Sequence, residues 1–117
     1  MSYHEHTDHH YAKHIRAGAP KAFTAFAAWD TQVMRGDDKV IPRKYTELMA
    51  VAVALTTQCP YCIEAHTDAA HSAGATQQEL AETIMIAAAL RAGGSYAHGF
   101  MAMKFLERAE GGGIPGA

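Results

Sequence analysis

The chain has 117 residues, 49% hydrophobic and 19% charged, with a formal net charge of -2; this is a globular composition of single-domain length and not a disordered one. Ten basic and twelve acidic residues are mixed along it, so no basic stripe faces a phosphate backbone and nucleic acid is excluded as an expected partner. The longest apolar runs, Leu48 to Leu55 and Ile84 to Leu90, fall far short of the roughly 20 residues of a membrane-spanning helix, and no membrane partner is expected.

Residues 1–19 read as a histidine-rich arm or helix. Its opening, MSYHEHTDHHYAKH, lacks the basic region, apolar stretch and cleavage site of a secretory signal, so the expected location is cytoplasmic. His4, His6, His9, His10 and His14 fix no metal geometry by their spacing, and a solvated, partly frayed arm is the expectation. Gly18 and Pro20 punctuate the chain, and residues 20–110 read as one helical domain.

From Pro20 to about Met34, Phe23, Phe26, Ala27 and Val33 follow a helical period. Gly36, Asp37 and Asp38 end that helix in a loop. Pro42 opens the next, with Tyr45, Leu48, Val51, Ala52 and Leu55 at helical spacing; the run Leu48–Leu55 is apolar on every side and predicts a helix buried all round. Glu47, at its start, then needs a partner, because an unpaired buried carboxylate is costly. After a short break at Thr56, Thr57 and Gln58, a helix from Pro60 to Ala73 stops at Gly74, a C-cap glycine.

Thr76 and Glu79 form a capping box, and the helix they open carries Leu80, Ile84, Ala87, Ala88 and Leu90. Gly93 and Gly94 predict a break or kink. A last helix from about Tyr96 to Ala109 presents Phe100, Met101, Met103, Phe105 and Leu106 as core residues, and 111–117 reads as a flexible tail. No segment alternates with period two, so the fold class is all-α, a single-domain bundle of five or six helices. Several helices are apolar on more than one face, which predicts a homo-oligomer.

Both cysteines lie in Cys59-Pro-Tyr-Cys62-Ile-Glu-Ala-His66. Pro60 suits the first helical position, which makes Cys59 the N-cap and puts Cys62 in the first turn with His66 one turn later on the same face. The helix N-terminus stabilises a thiolate there, so the Cys62 thiol is expected to ionise more readily. Two cysteines at this spacing can close a disulfide after thiolate attack, and His66 can carry a proton near neutral pH. Glu47 could orient that imidazole from the preceding helix. A thioredoxin-like context needs strands around the motif, and the chain has none to offer.

The pattern Glu47, eleven residues, Cys59, Cys62 and His66 resembles the alkylhydroperoxidase D-like branch of the carboxymuconolactone decarboxylase family, and the likeness runs from about Pro42 to Glu107, through AAALRAGGSYAHGF. The resemblance implies an all-α fold of the alkylhydroperoxidase D-like type, a trimer or hexamer, and a thiol-dependent peroxidase or disulfide oxidoreductase that needs no cofactor, neither haem nor metal. It implies a hydroperoxide substrate and an external dithiol or protein reductant. By the same resemblance Cys62 attacks the peroxide, Cys59 resolves, and Glu47 with His66 relays protons. The better-studied peroxidases of the group have a histidine between the cysteines where this chain has Tyr61. Tyr61 is read as shaping the substrate pocket or donating a hydrogen bond, and His98, after the glycine pair, as a second pocket residue.

Two other classes compete. The lactone decarboxylase chemistry of the sister branch shares the fold but does not depend on a cysteine pair. A non-catalytic metal-binding oligomer would need Glu47 as fourth ligand beside Cys59, Cys62 and His66.

Overall fold

The computed structural model describes residues 3–112, and among these every regular element is helical. A 3-10 turn at Asp8–Tyr11 leads into α1 (Ala12–Gly18), α2 (Pro20–Arg35), α3 (Arg43–Thr57), α4 (Pro60–Ser72) and α5 (Gln77–Glu107). A π turn at Arg108–Gly112 closes the described chain. The expected tail therefore begins inside that turn, and its residues 113–117 lie outside the described residues.

α3 is the central element, packing against α4 on one side and α5 on the other, while α2 touches it lightly. Pro42 caps α3, its carbonyl accepting from the Tyr45 and Thr46 N–H groups. α3 ends at Gln58, whose left-handed backbone (φ 57°, ψ 49°) turns the chain sharply into Cys59; such a conformation costs a residue with a side chain about 1 kcal/mol. The two-residue connection holds α4 against α3. α4 in turn ends in a Schellman motif: Ala75 N–H donates to Ala70 O, Gly74 N–H donates to His71 O, and Gly74 takes φ 95°. The capping box at α5 is formed, with Glu79 N–H donating to Thr76 Oγ1 and Thr76 N–H to Glu79 Oε1.

The core is small, comprising Leu48, Val51 and Ala54 of α3, Ala70 of α4 and Ala87 of α5. Three expectations are corrected here. α3 is not buried all round: Leu48, Val51 and Ala54 form one covered stripe, whereas Met49 and Val53 face outward because only α4 and α5 pack closely on α3. Gly93 and Gly94 do not interrupt the helix, since α5 runs unbroken for 31 residues through them. Each glycine costs a helix only about 1 kcal/mol, and the strong helix formers Ala87 to Ala92 before the pair, with Met101 to Lys104 beyond it, carry the helix through. The expected last helix is the second half of α5, and its Phe100, Met101, Met103, Phe105 and Leu106, expected as core, are exposed in the single chain.

Candidate active site

The site runs from the two-residue turn, where Cys59 and Cys62 open α4, along α4 to His66, which faces Glu47 in the first half of α3. Cys59 has extended backbone (φ -104°, ψ 98°) and caps α4 as its position before Pro60 requires, its Sγ accepting from the Cys62 N–H at 3.2 Å. Cys59 and Cys62 are joined as a disulfide with their Cα atoms 5.3 Å apart. Both cysteines are half-buried, so the pair is reachable from solvent.

One turn along α4, His66 Nδ1 lies 2.6 Å from Glu47 Oε2. Glu47 is 1% exposed. A carboxylate so placed must have its oxygens occupied, and the second, Oε1, accepts from Arg43 Nε at 3.1 Å, one turn earlier in α3. Arg43 is itself half exposed and brings its charge in from solvent. With Glu47 ionised, the His66 ring donates through Nδ1–H, which leaves Nε2 as the nitrogen free to take up a proton. Arg43, Glu47 and His66 thus form a chain of two charge-assisted hydrogen bonds leading to the face that carries Cys62. Glu47 and His66 were paired from sequence alone; Arg43 was not, although its i,i+4 spacing from a buried acid was a legible signal.

Tyr61, between the cysteines, turns outward. Its hydroxyl donates to Asp8 Oδ2 at 3.0 Å, and its ring meets that of His4 edge-on with centroids 4.6 Å apart. The acceptor holds the Tyr61 phenol above its ordinary range, so it stays protonated and acts as a donor. The Asp8 carboxyl is held below its own range, first by the Glu5 backbone N–H and then by Tyr61. The arm, expected to be solvated, therefore rests on α4. Sequence reasoning could not find this, because the contact joins residues 53 apart.

His98 stands elsewhere. It donates from Nδ1 to the Gly94 carbonyl at 3.2 Å within α5, is exposed, and belongs to a helix that packs on α3 and not on α4. One chain does not bring it to the cysteines. Among the described residues no three His, Cys, Asp or Glu side chains are grouped as metal ligands.

Residues 20–111 match the model of the carboxymuconolactone decarboxylase family. Over 74 residues the chain is 43% identical to a Paracoccus denitrificans protein described as uncharacterized protein 4 in cox locus, which covers 63% of this chain and 67% of that protein. It also resembles the crystal structure of a carboxymuconolactone decarboxylase family protein from Legionella pneumophila, with a TM-score of 0.61 and 30% identity over 68% of this chain and 69% of that one.

Proposed function

The chain belongs to the carboxymuconolactone decarboxylase family, and on that premise we propose that it is a thiol-dependent peroxidase or disulfide oxidoreductase working through Cys59 and Cys62. The observation that carries this reading is the Cys59–Cys62 disulfide in the first turn of a helix whose next turn presents a histidine bonded to a buried glutamate. A fold alone would not argue for redox chemistry, whereas a closable cysteine pair beside a proton carrier does.

In the reduced protein the Cys62 thiolate, favoured by the helix N-terminus, attacks the terminal oxygen of a hydroperoxide. An S–O bond forms and the O–O bond breaks. The alkoxide leaves and takes a proton through His66, giving an alcohol and a sulfenic acid on Cys62. Glu47 keeps the imidazole in the orientation and tautomer for that transfer, and Arg43 holds Glu47. The Cys59 sulfur then attacks the Cys62 sulfur, water leaves, and the disulfide closes. An external dithiol or protein thiol returns two electrons by thiol–disulfide exchange.

The same reading takes the working unit as a cytoplasmic homo-oligomer, a trimer or hexamer, built from a helical domain of residues 20–110 with the arm 1–19 before it. The exposed apolar side chains of α2 and α5, Phe26, Trp29, Ile86 and Leu90 among them, support an assembly.

The test is direct. Reduced protein given one equivalent of tert-butyl hydroperoxide is expected to lose two titratable thiols per chain, and Cys62→Ser to lose none. Thiols that stay titratable in the wild type overturn the proposal.

A further inference from the structure

Four contacts tie the segment Tyr3–Asp8 to the first two turns of α4. Besides the hydrogen bond to Asp8 and the His4 ring contact, the Tyr61 hydroxyl lies 3.4 Å from the Tyr3 carbonyl, and His4 Nε2 is buried 3.3 Å from Glu64 Oε1 without an aligned hydrogen bond. Asp8 Oδ2 also accepts the Glu5 N–H at 3.0 Å, while Asp8 N–H donates to Glu5 O. The arm's own turn is thus closed around the oxygen that holds Tyr61.

Helix geometry places these contacts relative to the sulfur. At 3.6 residues per turn, Cys62 lies about 100° around the α4 axis from Tyr61 and about 40° from His66. The His66 side is closed by α3 through Glu47, and the Tyr61 and Glu64 side is covered by the arm. Cys62 thus lies on α4 between these two covered sides.

We propose that Asp8 is a positioning residue for Tyr61, and that the segment Tyr3–Asp8 forms the outer wall of the dithiol cleft, admitting small peroxides and small thiols while slowing bulky reductants. This rests on the dithiol reading above and adds a selectivity to it. The residue between the cysteines then serves to anchor that wall, in place of a second proton carrier.

The wall is tested by size and not by catalysis. In a Cys59→Ser background, which leaves Cys62 as the single thiol, the rate of modification by N-ethylmaleimide is compared with that by a polyethylene-glycol maleimide of the same chemistry. Losing the one hydrogen bond is expected to raise the bulky-to-small rate ratio about fivefold in Asp8→Ala and in Tyr61→Phe. Asp8→Asn, whose amide oxygen accepts the same bond, is expected to keep the parent ratio, and combining Asp8→Ala with Tyr61→Phe to add nothing further. An unchanged ratio in the single variants overturns the proposal, as does an equal acceleration of both reagents, which reports a loosened helix. Should Asp8→Ala fail to fold by circular dichroism, Tyr61→Phe, which removes a single hydroxyl, decides alone. A ratio that shifts while peroxide leaves wild-type thiols intact keeps the wall and removes the peroxidase; the converse removes only the wall.

Discussion

The α3–α4 unit and the outer helices use their side chains in opposite ways. Between α3 and α4, Glu47 and Val51 are each 1% exposed, and the polar groups there find partners inside the chain. Along α2 and α5 the larger apolar residues stay open, Trp29 at 65%, Leu90 at 68% and Tyr96 at 73% exposed. The radius of gyration, 20.1 Å, is well above the roughly 13 Å of a compact domain of about a hundred residues. The contrast teaches that the Arg43–Glu47–His66 hydrogen bonds are completed within one chain while much of the hydrophobic surface stays uncovered by it. Hydrogen bonds of short range can be satisfied within one chain, whereas an exposed apolar surface favours being covered.

The strongest way to break the inner region is at its one buried charge. Glu47→Gln keeps the shape of the side chain but removes the carboxylate that orients His66, and a positioned proton carrier contributes at least about a hundredfold to such steps. Peroxide-driven thiol loss is therefore expected to slow about a hundredfold, with helix content by circular dichroism unchanged. A rate within a few-fold of the wild type would make the Glu47–His66 bond structural only. Arg43→Gln, acting one bond further out and from a half-exposed position, is expected to cost about tenfold in the same assay.

The outer region is broken differently. Leu90→Glu with Tyr96→Glu places two charges on the open stripe of α5, where the apolar area is expected to be covered by a second copy. Light scattering is expected to report a shift from oligomer to monomer, and N-ethylmaleimide reactivity of Cys62 to stay the same, because α5 does not pack on α4. Loss of Cys62 reactivity together with dissociation would show that the site also needs the partner, and the contrast between the regions would then be wrong.

What could be read from the residues follows this division. The Cys59 cap, the Gly74 stop and the Thr76–Glu79 box all act within one helical turn, so spacing alone places them. The need of Glu47 for a partner was legible because a buried carboxylate is costly, and His66 was legible as a group it could orient; its second partner, Arg43, was not read. The docking of Asp8 on Tyr61 was not, since no local rule links residues so far apart in the chain. Nor was the continuity of α5 through Gly93 and Gly94. A glycine pair signals a break only as a local preference, and here the strong helix formers from Ala87 to Ala92 ahead of it outweigh that preference. The exposure of Met49 and Val53 is not legible in sequence, because an apolar run tells how much surface wants covering, not which neighbour covers it.

The smallest effect lies at the seam between the regions, where Lys44 Nζ of α3 meets Glu79 Oε2 of α5 at 3.0 Å. The Thr76 backbone N–H, and after it Lys44, hold the Glu79 carboxyl below its usual 4.5, while Glu79 holds the Lys44 ammonium above its usual 10.5. A depressed carboxylate contributes stability that is complete above its unfolded value and lost as pH falls through the folded one. A raised ammonium contributes stability complete below its unfolded value and lost as pH rises through the folded one. The seam is thus fully formed between 4.5 and 10.5 and opens in acid below that window. Comparing urea midpoints at about pH 6 and about pH 3, the Glu79→Gln variant is expected to lose less than the wild type, because the part of the acid sensitivity that belongs to Glu79 is gone. Both groups are exposed to solvent screening, so the difference is modest. Thr76→Ala, which removes the uncharged half of the same cap, is expected to lower stability by about 1 kcal/mol at both pH values, and that separates the cap of α5 from the ion pair that ties it to α3.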